Sequence, residues 1–140
     1  DLFRSVVDAT GPVLKKGETE LLYRAIASYE DAGGFRDFES REQKFLNAQL
    51  QLNHKRTSVR AEFRFQDLTE HEAFILMPFE PNSGTLALPE RTYNTAGPDT
   101  YAKQKQITAS LEATHTFNDR FSMRVAAARD EHYYDALRRV

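Results

Sequence analysis

The stretch Thr57-Ser58-Val59-Arg60-Ala61-Glu62-Phe63-Arg64-Phe65-Gln66-Asp67 alternates a small or apolar residue with a polar one without a break. A period of two marks a β-strand, whose successive side chains leave on opposite faces. Val59, Ala61, Phe63 and Phe65 share one face, and Ser58, Arg60, Glu62, Arg64 and Gln66 share the other. Strands of soluble sandwiches commonly run about five or six residues, and this alternation is about twice as long. A strand crossing a bilayer at a tilt needs about 9–11 residues, with its apolar side in lipid and its polar side in a lumen. Thr57 to Asp67 meets that length.

Five other segments carry related patterns. Leu2 to Thr10 reads as a strand with Arg4 and Asp8 on one face, broken by Gly11-Pro12. From Thr19 to Asp31, Leu21, Tyr23, Ala25, Ala27 and Tyr29 oppose a mixed side of Leu22, Arg24, Ile26, Ser28 and Glu30. Ala32-Gly33-Gly34 is a turn by composition, since glycine reaches positive φ at little cost. Between Phe38 and Asn53, Leu46, Ala48, Leu50 and Leu52 oppose Asn47, Gln49, Gln51 and Asn53, an amide row too polar for a dry core. His54-Lys55-Arg56 is a tight reversal. From Tyr101 to Phe117, Ile107, Ala109, Leu111, Ala113 and Phe117 face away from Gln104, Gln106, Thr108, Ser110, Glu112, Thr114 and Thr116, with Lys105 and His115 on the apolar side only towards its ends. After the Asn118-Asp119 turn, Met123, Val125 and Ala127 oppose Ser122, Arg124, Ala126, Ala128 and Asp130.

The expected fold is all-β: an antiparallel up-and-down meander of strands over about 2–10, 19–31, 38–53, 57–72, 101–117 and 120–136. Pattern is lost over about 73–100, which holds Pro78, Pro81, Pro89 and Pro98, and so long a loop in a compact unit is more often functional. Short turns at one rim and long loops at the other are how outer-membrane barrels are built, so the meander is expected to form part of a larger transmembrane β-barrel with 73–100 outside the cell.

The 140 residues carry a net charge of −2, and Lys and Arg are scattered, so no basic stripe recommends a nucleic acid partner. There is no Cys, which removes disulfides, thiolate metal sites and thiol nucleophiles. No run approaches the roughly 18–20 apolar residues of a spanning helix, so any membrane crossing must use strands. The chain starts at Asp1 without a signal peptide and ends inside a patterned segment, which reads as a piece of a longer protein.

Asp8-Ala9-Thr10-Gly11-Pro12, Leu22-Tyr23-Arg24, Tyr29-Glu30-Asp31, Phe35-Arg36-Asp37, Arg41-Glu42, Phe45-Leu46-Asn47, Leu88-Pro89 and Tyr93-Asn94 follow one another in an order that resembles the barrel domain of TonB-dependent outer-membrane receptors, in the branch that takes up ferric siderophores. The resemblance implies a large barrel of the 22-stranded plugged class, a Gram-negative outer-membrane location and energy supplied by the TonB complex through a plug region that this sequence lacks. It also implies iron carried inside a siderophore chelate, with no cofactor bound by the protein itself.

Candidate ligand contacts fall in two places. Arg60 and Arg64 project into the expected lumen, where the plain alternative is a wall of charges pairing across strands at about 0.2–1 kcal/mol per pair. In the long loop, Phe74, Phe79, Arg91, Tyr93 and Tyr101 combine aromatic area with a cation, which suits an anionic or aryl iron chelate. The same aromatics equally suit self-packing of the loop or an interfacial girdle. No catalytic or metal-ligating set is expected: His71-Glu72 is followed by Ile75 where a zinc-protease helix needs its second His, His54, His115 and His132 have no ligand-spaced partner, and Ser40, Ser58 and Ser110 lack a nucleophile elbow. Two other classes share part of the pattern: a soluble β-sandwich binding a saccharide or a protein through the long loop, and a passive porin.

Overall fold

The computed structural model describes residues 1–72 and 90–137. Six antiparallel strands lie in one open sheet in sequence order: β1 (Leu2–Lys16), β2 (Thr19–Gly33), β3 (Ser40–His54), β4 (Thr57–His71), β5 (Tyr101–Asn118) and β6 (Phe121–Leu137). The chain is therefore all-β, a meander without crossover. Among the described residues no second sheet packs on either face, so the two-sheet sandwich is not formed by them.

Three connections, Gly17-Glu18, Lys55-Arg56 and Asp119-Arg120, close one rim with two residues each. Gly17 (φ 58°) and Lys55 (φ 51°) take the left-handed backbone that suits the right-handed twist of a hairpin. At the third turn the Asn118 side chain accepts the Arg120 N–H at 2.9 Å. The connections β2–β3 and β4–β5 are longer and share the opposite rim.

Two boundaries differ most from expectation, and the others by a residue or two. Gly11-Pro12 does not end β1, which continues to Lys16. β1 is an edge strand in the described sheet, where a missing N–H is tolerated, and the register slips between Pro12 and Leu14 in a bulge that absorbs the extra residue. The β2–β3 turn lies beyond Ala32-Gly33: both remain paired in β2, and the chain reverses after Gly34, with Phe38 at φ 63° outside β3.

Directly opposite residues of antiparallel strands share a face, so the register assigns the two faces row by row. One face carries Leu14, Leu21, Leu52, Val59, Ala113 and Val125, then Gly11, Tyr23, Leu50, Ala61, Leu111 and Ala127. The next rows are Ala9, Ala25, Ala48, Phe63, Ala109 and Arg129, then Val7, Ala27, Leu46, Phe65, Ile107 and Glu131. This apolar band is open: Leu50 is 51% exposed, Leu111 53% and Val125 58%. Polar or aromatic rows border it, with His54, Thr57, His115 and Met123 at the short-turn rim and Tyr29, Lys44, Asp67, Lys105 and Tyr133 at the other. From Lys44 to His54 the strand is about 33 Å long at about 3.3 Å per residue, or about 25 Å high at a tilt of about 40°. The sheet itself has almost no interior, Leu68 and Ala96 being the only buried apolar residues among those described.

Candidate functional site

The polar face is organised by side-chain hydrogen bonds at rung spacing. Arg24 forks onto Asp8, its Nη2 2.8 Å from Oδ2 and its Nε 3.2 Å from Oδ1. Asn47 is buried: its amide donates to Glu62 Oε1 at 2.8 Å, and its oxygen accepts Gln49 Nε2 at 3.0 Å. Gln51 and Ser58 both donate to Asn53 Oδ1, at 3.0 and 2.9 Å. Across β5 and β6, Asp130 accepts Thr108 Oγ1 at 2.6 Å and Gln106 Nε2 at 3.1 Å, and Arg124 pairs with Glu112. The amides repeat every second residue of β3, so each reaches its neighbour one rung away and satisfies groups that a purely apolar strand would leave unbonded.

The two arginines named for this face have different surroundings. Arg64 Nη2 lies 2.9 Å from Glu62 Oε1, so its charge is spent in the wall. Arg60 donates at 3.0 Å to the neutral oxygen of Gln51 and has no carboxylate within ion-pair distance among the described residues. It lines a shallow groove with Thr10, Arg24, Gln49 and Gln51. Among the described residues, Arg60 is thus the polar-face cation still able to meet an incoming anion.

At the long-connection rim, the segment 90–100 docks on the β2–β3 turn. Asp37 donates its N–H to the Thr92 carbonyl at 2.9 Å, and buried Asn94 donates its side-chain amide to the Asp37 carbonyl at 2.7 Å while accepting the Ala96 N–H at 2.9 Å. Below this clamp, Gly34 donates to the Glu39 carbonyl at 2.9 Å, and a Cβ at Gly34 would fall 2.0 Å from the Glu39 carboxylate. Only a residue without a side chain allows that approach.

The clamp brings Arg91 to Phe35. The guanidinium of Arg36 sits 5.0 Å from the Phe35 ring centroid and that of Arg91 5.8 Å, while Phe35 stays 59% exposed. Arg36 Nε is buried without a hydrogen-bond partner. Tyr93 rides on the same segment, its N–H donating to the Glu90 carbonyl at 3.0 Å. Phe35 and Arg36 were not named as site residues, because the contact with Arg91 spans a long stretch of sequence and has no local signature.

Tyr101 belongs elsewhere. Its hydroxyl donates to Asp135 Oδ2 at 3.1 Å, and Lys103 stacks on its ring at 4.8 Å, so it ties β5 to β6 at the strand end. The Asp135 carboxylate, first as hydrogen-bond acceptor and then as charge, holds the Tyr101 phenol above its ordinary value, with burial adding to the shift. Phe74 and Phe79 lie outside the described residues. Among the described residues no three or more His, Asp and Glu side chains gather as a metal site. Three histidines instead pair with hydroxyls: His54 with Thr19 at 2.7 Å, His115 with Thr57 at 2.8 Å and His71 with Ser40 at 3.1 Å.

The site thus consists of an aromatic and cationic platform at one rim and a hydrogen-bonded polar wall beneath it that retains one unpaired arginine. No protein-family model matches the chain, and no curated protein matches it.

Proposed function

We propose that the chain is part of the barrel of an outer-membrane receptor that binds ferric siderophores and imports them with energy from TonB. The observation that carries the membrane reading is the unequal sheet: one face is a band of exposed apolar side chains bordered by polar and aromatic rows, and the other is a wall of amides and charges. Leaving so many apolar side chains in water forfeits about 1.5–3 kcal/mol for each large one that could be fully buried. Lipid removes that cost without a second protein layer.

The ligand class rests on the sequence resemblance and on the chemistry of the rim. Phe35, Arg36 and Arg91 offer an aromatic ring with two cations near it, which suits an anionic or aryl chelate, with Tyr93 on the same segment and Arg60 on the polar face. Iron enters wrapped by the chelator, so the protein supplies shape and charge and no metal ligands.

Nitroxide labels placed singly from Val59 to Gln66 in the intact protein test the membrane reading. Oxygen accessibility is expected to alternate with residue parity, high at Val59, Ala61, Phe63 and Phe65. A flat profile would remove the barrel. Ferric-siderophore binding by the intact receptor, weakened by Arg91→Ala, tests the ligand class; no binding of any ferric chelate would leave a passive barrel.

A further inference from the structure

On the apolar face, the row next to Leu14, Leu21, Leu52, Val59, Ala113 and Val125 at the short-turn rim holds Lys16, Thr19, His54, Thr57, His115 and Met123. The step between the rows is about 7 Å along a strand at about 3.3 Å per residue. His54 and His115 engage threonine hydroxyls through Nδ1, which directs Nε2 of each ring away from those hydroxyls. With Thr57 and with Glu18, Lys55 and Arg56 of the adjoining turns, the two histidines line one groove. Backbone and side-chain bonds hold its walls together. The Lys55 N–H donates to the Glu18 carbonyl at 3.3 Å, the Thr116 N–H to the Arg56 carbonyl at 2.9 Å, and Arg56 Nη1 to the Phe117 carbonyl at 3.0 Å.

We propose that this groove binds the phosphate of a phospholipid headgroup, whose acyl chains lie on the apolar band beside it. The inference rests on the membrane-barrel reading above, in which the short turns mark the periplasmic side. Charge selects an anion. Glu18 is the one carboxylate lining the groove, and it is balanced by Lys55 at 3.6 Å. Arg56 and Lys16 have no carboxylate within ion-pair distance among the described residues. A threonine hydroxyl that donates to Nδ1 leaves the ring proton on Nε2, so two imidazole N–H groups join the Arg56 guanidinium as donors. The matching row at the opposite rim is balanced instead: Asp67 stands between Lys44 and Lys105, and Lys44 pairs with Glu42 at 3.0 Å.

Depth and adjacency select a lipid over a soluble anion. The headgroup layer adds about 5–7 Å to each side of the hydrocarbon. A step of about 7 Å along a strand tilted about 40° is about 5 Å along the membrane normal, so the row falls in that layer. Leu52, Val59 and Ala113 continue the same face directly into the band. On the β5 side the Phe117 ring packs edge-on against His115 at 4.5 Å and lies 5.2 Å from the Phe121 ring, which walls the groove with apolar surface. A free phosphate would meet the cations and leave this surface uncovered, whereas a molecule carrying phosphate and hydrocarbon a few ångströms apart meets both.

The test titrates the full-length protein, stripped of lipid in detergent, with dioleoylphosphatidylglycerol, with dioleoylglycerol, which has the same chains and no phosphate, and with inorganic phosphate. Native mass spectrometry counts the bound molecules. Phosphatidylglycerol is expected to bind about tenfold more tightly than either alternative. Arg56→Gln is expected to weaken it about fivefold, the worth of one basic side chain at an anionic headgroup. Arg56→Lys should retain most of the binding, and Arg124→Gln, an equal loss of charge on the polar face, should change nothing. His54→Ala combined with His115→Ala, which leaves Arg56 in place, should weaken binding at least twofold. Inorganic phosphate bound as tightly as the phospholipid overturns lipid as the occupant. Equal binding of the two lipids, or equal effects of Arg56→Gln and Arg124→Gln, overturns the groove as a phosphate site. With either result, a nitroxide at position 61 that is open to oxygen in bilayers leaves the barrel standing. A label there that is closed to oxygen removes the membrane reading and this site with it.

Discussion

The two faces of this sheet are built on opposite principles. On the apolar face the side chains touch through area alone, and one aliphatic group substitutes for another with little consequence. On the polar face each group has a named partner at a set distance, as in the run from Gln49 through Asn47 to Glu62 and Arg64. The contrast teaches where information resides: the first face specifies only that its surface be kept from water, and the second specifies strand register.

Several substitutions separate the faces. The largest effect is expected for Leu50→Arg, at about 2–4 kcal/mol of lost stability in lipid, whereas Gln49→Arg on the opposite face should change little. Denaturant unfolding of the intact protein in bilayers measures both, and equal effects would erase the distinction. Next is Asn47→Leu, which removes partners from Glu62 and Gln49 and is expected to cost about 1–3 kcal/mol. Its apolar-face neighbour Ala48→Leu should be close to neutral by the same unfolding measurement.

Smaller effects sharpen the polar side. On the proposed function, Arg91→Ala removes one cation from Phe35 and should weaken ferric-siderophore binding by a factor of about two to five, the equivalent of about 0.5–1 kcal/mol, without moving the unfolding midpoint. Titration of the intact protein with the chelate reads this directly. The smallest structural change is expected for Arg60→Gln, below about 0.5 kcal/mol, because Arg60 holds only a neutral amide. Arg24→Gln, which breaks the fork onto Asp8, should cost more, though little, since both groups are exposed. The reverse order in unfolding experiments would assign Arg60 to the wall and take it out of the ligand set.

Sequence alone determined the strands and their faces, because a period of two is a local property and survives any arrangement of neighbours. The tight reversals were legible to within a residue: His54-Lys55-Arg56 and Asn118-Asp119 by sequence, Lys55-Arg56 and Asp119-Arg120 in the structure. What only the tertiary structure decided depends on partners distant in sequence. Pro12 continues β1 because the strand lies at the edge of the described sheet, which no local pattern states. Glu62 stands two residues from both Arg60 and Arg64 on β4, and in the folded sheet its carboxylate takes Arg64 while Arg60 reaches across to the Gln51 amide on β3. Phe35 meets Arg91 because Asn94 clamps the distant segment onto the β2–β3 turn through a single backbone carbonyl. Periodicity acts through adjacent residues along the chain, whereas pairing and docking act through space, and the candidate site is made of the latter.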